Sequence, residues 1–94
     1  MEQGKDFSWN DVPGEVRVSI AAALVASRKR SGKSTEFRIA QSYLEHVPHA
    51  IVEFGKMGLE DQLLRILDCL TYWRGEEARA VKKILNAYVK GGIA

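Results

Sequence analysis

Two histidines and one cysteine are the residues of this chain best equipped for chemistry. His46 and His49 flank Pro48. A backbone bend there would bring two imidazoles together, a beginning for metal binding or proton transfer. A zinc centre needs at least a third ligand, and no spacing pattern ties the single cysteine, Cys69, to the histidines. Glu45 and Glu53 are the nearest acids. The pair therefore reads as surface or helix-packing histidines. Cys69 reads as a small buried hydrophobe without the fixed basic neighbour that activates a thiol. Gly32-Lys33-Ser34-Thr35 has the ending of a phosphate-binding loop. The full pattern requires a glycine where Ser27 stands and a strand ahead of the loop, and here a helical pattern precedes it. The expectation is a helix stop, a basic turn and an N-cap. No catalytic residue, metal or cofactor is expected, and the chain is not expected to be an enzyme.

The remaining chemistry is ionic. The net charge is only +2, but between Arg28 and Arg38 five cations (Arg28, Lys29, Arg30, Lys33, Arg38) face one acid, Glu36. From Ala78 onward Arg79, Lys82, Lys83 and Lys90 have no acid among them. Arg79, Lys82 and Lys83 are spaced by three and four, so on a helix Arg79 shares a face with both lysines. Cations in the last turn of a helix complement its dipole whatever else they do. Clustered cations also hold polyanions, because each phosphate they neutralise releases condensed counterions. Lys33, Ser34 and Thr35 stand where a helix N-terminus favours an anion. The candidate nucleic-acid contacts are thus Arg28, Lys29, Arg30, Lys33, Arg38, Arg79, Lys82 and Lys83, gripping backbone without reading bases. Tyr72, Trp73 and Tyr88 could stack bases or fill a core. Trp73 and Tyr88 are in phase with apolar stripes, and Tyr72 is not.

Helices must position these groups. Val12, Val16, Ile20, Ala23, Leu24 and Ser27 recur at steps of three and four, predicting a helix over 13–30 with Asn10 and Asp11 as capping oxygens and Gly32 as its stop. Ser34 or Thr35 caps a second helix, whose stripe of Phe37, Ala40, Leu44, Val47, Ile51 and Phe54 crosses Pro48 in phase. Either one helix over 35–55 kinks at Pro48 or two short helices meet there. Gly55 and Gly58 bracket an expected turn. Leu59, Leu63, Ile66, Leu67, Leu70 and Trp73 mark a helix over 59–73, and Val81, Ile84, Leu85 and Tyr88 a last one that Gly91-Gly92 closes. No segment alternates as a strand does. The fold class is all-α, a small bundle of four to five amphipathic helices packed mainly antiparallel.

Ninety-four residues, 46% hydrophobic and 28% charged, suit one domain rather than two or a disordered chain. Residues 1–10 read as a mobile arm and 11–92 as a single helical domain. Phe7 and Trp9 in the arm, with Tyr72, are the candidate partner-binding anchors, since interfaces favour aromatics. The longest uncharged run, Val18–Ser27, is ten residues, about half a membrane span. One cysteine and no secretory leader fit a cytoplasmic protein.

The middle of the chain resembles a known family. Thr35-Glu36-Phe37-Arg38, Val47-Pro48-His49-Ala50-Ile51 and Gly58-Leu59-Glu60-Asp61-Gln62-Leu63-Leu64 are similar to the small helical subunits of CRISPR effector complexes, most of all the small subunit of the RNA-targeting Cmr-type complexes. This chain differs in carrying the extra residues Gly55-Lys56-Met57. The resemblance implies a non-enzymatic bundle that stacks with copies of itself or other subunits and lines a basic groove for RNA or a single strand, with Arg38 as the carried-over basic residue. The alternative expectation is a phage- or plasmid-type regulator or adaptor that acts by protein–protein binding.

Overall fold

The structure, a computed structural model, describes residues 7–91. All regular structure among them is helical: α1 (Gly14–Arg30), α2 (Thr35–Glu45), α3 (Val47–Cys69) and α4 (Glu76–Val89), preceded by one 3₁₀ turn, Trp9–Asp11. The part of the arm at residues 1–6 lies outside the described residues, as do residues 92–94. Phe7 and Trp9 are half-buried and pack against the core. Asp11 does not cap α1. Its carboxylate accepts from the Ser8 N–H at 2.8 Å and thereby closes the 3₁₀ turn, while α1 starts from the Pro13 carbonyl.

Pro48 decides where α2 stops. It has no N–H to give the Leu44 carbonyl, and its ring would collide with that carbonyl in a continuous helix. The chain accordingly breaks at His46, whose N–H is shared between Ser42 and Tyr43 carbonyls, and Pro48 falls in the first turn of α3.

The expected turn between Gly55 and Gly58 is absent. Helix resumes immediately after Gly55, whose φ of 65° and ψ of −142° only glycine adopts readily. α3 is therefore two arms, 47–54 and 56–69, joined at a corner. Gly58 seats the corner: a Cβ there would run into the Ala50 carbonyl oxygen and lie 2.9 Å from the Phe54 Cβ. The inward register of the first arm ends with Val47, Ile51 and Gly55. Phe54, expected in the core, is instead 67% exposed. α3 also ends earlier than expected, at Cys69, and the following turn carries Leu70 and Trp73 into the core.

Contacts between helices give the bundle its direction. α1 packs on α2 and α4, and α3 packs on the same two. The Gln62 amide donates to the Tyr43 carbonyl at 2.9 Å, so the second arm of α3 runs back along α2. The Lys56 ammonium lies 5.8 Å from the Tyr88 ring, so α4 runs back along that arm. The core is aliphatic: Val16, Ile20, Leu44, Val47, Leu59, Leu63, Ile66, Leu70 and Leu85, closed by Trp73 and Tyr88. No described helix is long and apolar enough to cross a membrane.

The corner generates a prediction of sign. In a straight helix Gly58→Ala would add about 1 kcal/mol of stability. Here the new methyl meets backbone, so the variant should lose about 2 kcal/mol and roughly 10 °C of melting temperature. Gly32→Ala, with open space at its Cβ, should stay within about 0.5 kcal/mol of the parent. Thermal and urea melts followed by circular dichroism decide it.

Candidate nucleic-acid interface

The two basic segments lie at one end of the molecule. α1 delivers Arg28, Lys29 and Arg30 to the turn that starts α2, with Lys33 inside that turn and Arg38 one turn further on. The second arm of α3 runs antiparallel to α2, which returns the α3–α4 turn to the same end. Glu36 of α2 accordingly lies close enough to Cys69 for its charge to act on the thiol. Glu36 at the start of α2 and Cys69 at the end of α3 are thus neighbours in space although far apart in sequence.

The cations are not equivalent. Arg28 turns away along the α1–α2 groove and meets Glu45 at 3.4 Å, and the Gln41 amide donates to the same carboxylate oxygen at 3.0 Å. Gln41's hydrogen bond, with Arg28's, keeps the Glu45 carboxyl below its ordinary pKa. Arg28, expected as a phosphate ligand, is therefore neutralised. Arg30 finishes its own helix: its guanidinium donates to the Ala26 carbonyl at 3.1 Å and lies 5.8 Å from the Phe37 ring. Gly32 plays no part in that stop, since Ser31 continues in helical conformation and its hydroxyl donates to the Arg28 carbonyl.

The α2 N-terminus is also occupied by the chain itself. The Ser34 hydroxyl accepts from the Phe37 N–H at 3.4 Å and donates to the Glu36 carboxylate at 3.1 Å. An intrinsic carboxylate therefore sits where an anion was expected. Lys29, Lys33 and Arg38 are exposed and have no carboxylate within 4.0 Å among the described residues.

At the second turn Arg79 and Lys82 line a recess of about 350 Å³ with Thr71, Trp73, Arg74 and Gly75. Lys83, expected beside them, is exposed and outside this lining. Arg74 is not among the cations expected from the sequence, because it stands before α4 and outside that helix's spacing pattern. Burial pushes the Lys82 ammonium below its ordinary pKa, and the like charge of Arg74 adds to the effect.

The aromatic candidates divide. Trp73 and Tyr88 are each 2% exposed and belong to the core, so neither is free to stack a base. Tyr72 is 63% exposed. Trp9 wedges between a groove of about 440 Å³ floored by Ile20, Leu24, Leu44 and Val47 and another of about 390 Å³ shared with Phe7, Pro48, Ile51 and Val52. Exposed apolar groups include Val18 and Val25 on α1, Leu64 on α3, and Val52, Phe54 and Met57 on either side of the α3 corner.

His46 and His49 meet edge to face with ring centroids 5.0 Å apart, and the His49 Nε2 lies 3.6 Å from Glu53. All three side chains are exposed, and no group of three or more His, Cys, Asp or Glu among the described residues is arranged to hold a metal. Cys69 is half-buried. Burial first, then the charges of Asp68 and Glu36, push its thiol above the ordinary pKa.

Comparison with known protein families, curated proteins and solved structures gives no match to this chain.

The thiol's surroundings predict its reactivity. A raised pKa leaves less thiolate at neutral pH, so iodoacetamide should alkylate Cys69 more slowly than free cysteine at pH ~7. The rate should keep climbing beyond the pH at which free cysteine levels off. Removing the first-turn acid, Glu36→Gln, should shift that profile downward. A rate equal to that of free cysteine across the range would contradict the arrangement.

Proposed function

We propose that this chain is a non-enzymatic binding subunit that holds the phosphate backbone of RNA or another single strand against the end of the bundle where the α1–α2 and α3–α4 turns meet. The observation that carries the reading is the placement of Lys29, Lys33, Arg38, Arg79 and Lys82 at that end with no carboxylate within 4.0 Å among the described residues. Unpaired cations cost solvation and self-repulsion as they approach each other, and a polyanion relieves the repulsion. The resemblance to CRISPR small subunits fits the same reading and would make the bundle one subunit of a larger nucleoprotein complex.

Backbone contact without base readout follows from what the surface offers. Among the described residues the large exposed aromatics are Tyr72, near Arg74 in sequence, and Phe54 at the α3 corner, too few for a stacking platform. Arg28 does not belong to the interface, since Glu45 already holds it.

One observation favours a second surface for protein. Phe54 and Met57 are 67% and 78% exposed and line one recess at the α3 corner, and exposed apolar patches commonly mark protein contacts. Phe7 and Trp9, expected as docking anchors, already serve the chain's own core. Tyr72 remains available.

Binding of a fluorescent single-stranded oligonucleotide should weaken steeply with salt. About four phosphates neutralised give a slope of roughly −3 in log K against log salt. Lys29→Glu with Lys33→Glu should cost at least about tenfold in affinity with an unchanged helical spectrum, and Arg28→Gln should cost less than about twofold. Affinity that ignores salt, or a larger loss from Arg28→Gln than from the lysine pair, overturns the reading.

A further inference from the structure

The recess at the α3–α4 turn is lined by three cationic side chains, Arg74, Arg79 and Lys82, together with Thr71, Trp73 and Gly75. Trp73 belongs to the core, and Lys82 is half-buried. Like charges repel more strongly where burial removes water than in bulk water. The acids near this turn are Asp68 at the end of α3, Glu76 and Glu77 in the first turn of α4, and Glu36 on α2. None of them comes within 4.0 Å of the three cations, although Asp61, Glu45 and Glu60 elsewhere each find a basic partner. The Thr71 hydroxyl donates to the Asp68 carbonyl at 2.8 Å and keeps its acceptor lone pairs. α4 begins here with no side chain capping its first N–H groups. The charged side chains that line the recess are therefore all cations, and the one hydroxyl among the lining side chains is that of Thr71.

We infer that this recess is a seat for one phosphoryl group, held by Arg74, Arg79 and Lys82 as a tetrahedral oxyanion. Two guanidinium groups and an ammonium supply more N–H donors than three phosphate oxygens can use, and the planar guanidinium fork suits bidentate contact. The volume, about 350 Å³, admits a phosphate. Arg74 is the central residue, since it lines the recess with Arg79 and Lys82 and its guanidinium fork suits a phosphoryl oxygen pair. The inference deepens the backbone-binding reading by naming where one phosphate of the strand is fixed. The same chemistry also admits free inorganic phosphate.

The test is an NMR titration of the full ¹⁵N-labelled chain, first with inorganic phosphate at constant ionic strength set by chloride, then with a short oligothymidylate. Saturable shifts at the Arg74 and Arg79 side-chain Nε–H and at the 74–79 amides, with a rise in the Lys82 pKa, are the expected result. Arg74→Glu combined with Lys82→Glu should weaken phosphate binding at least about tenfold, and Lys90→Glu should leave it unchanged. If the charge reversals disturb folding by circular dichroism, Arg74→Gln and the wild-type titration decide. Phosphate that saturates these signals while the oligonucleotide does not bind supports the seat and refutes the strand-binding function. An oligonucleotide that binds while these signals stay still, with Arg74→Glu harmless, refutes the seat and leaves the function standing. Linear, scattered shifts with both probes refute both.

Discussion

The close approach of Gly58 to the Ala50 carbonyl is the constraint from which the arrangement of charge follows. Any side chain at position 58 would hold the two arms of α3 apart. With none, and with Gly55 supplying a backbone turn closed to other residues, the chain reverses without leaving helical hydrogen bonding for more than one residue. The second arm then lies along α2, with Gln62 against the Tyr43 carbonyl, and its far end falls beside the start of α2. Had α3 continued straight, the α3–α4 turn would lie more than 20 Å from the α1–α2 turn by helix rise alone, an estimate from about 1.5 Å per residue over its second arm. The two basic segments would then be separate features.

Charge at that common end separates into satisfied and unsatisfied groups. Arg28 is tied to Glu45, and Arg30 caps its own helix over Phe37. Exposed pairs of this kind contribute about 0–1 kcal/mol each, too little to account for the accumulation of cations by stability alone. Lys29, Lys33, Arg38 and the Arg74–Arg79–Lys82 group lack such partners among the described residues. The half-buried Lys82 beside Arg74 is the costliest of these placements, because burial and a like charge act on it in the same direction. An arrangement that disfavours its own protonation gains most from a bound anion.

Apolar surface is managed in opposite ways on the two sides of the short arm 47–54. Near the start of α1, Phe7 and Trp9 fold onto Pro48 and Ile51 and cover the seam between α1 and α3. At the α3 corner the backbone turn leaves Phe54 and Met57 outside. Both outcomes come from the same segment, because the Pro48 break and the Gly55 corner together rotate the short arm 47–54 relative to everything that follows.

Helical periodicity alone was enough to read the all-helical class, the inner faces of α1, α2 and α4, and the core roles of Trp73 and Tyr88, because a stripe at three- and four-residue spacing can be buried only by a helix. Pro48 marked either a kink or a break for an equally local reason, its missing N–H, and the sequence did not decide between them. The rest was set by contacts between residues far apart in the chain. Glycine at 58 reads as a helix breaker until the Ala50 carbonyl is seen against it. Phe54 reads as core until the corner turns it outward. Arg28 and Arg74 are both cations by sequence, and only folding gives one a carboxylate and the other two like-charged neighbours. Spacing along the chain specifies which residues share a helix face; which charges meet depends on the path between helices, and that path turns on a void where one side chain is absent.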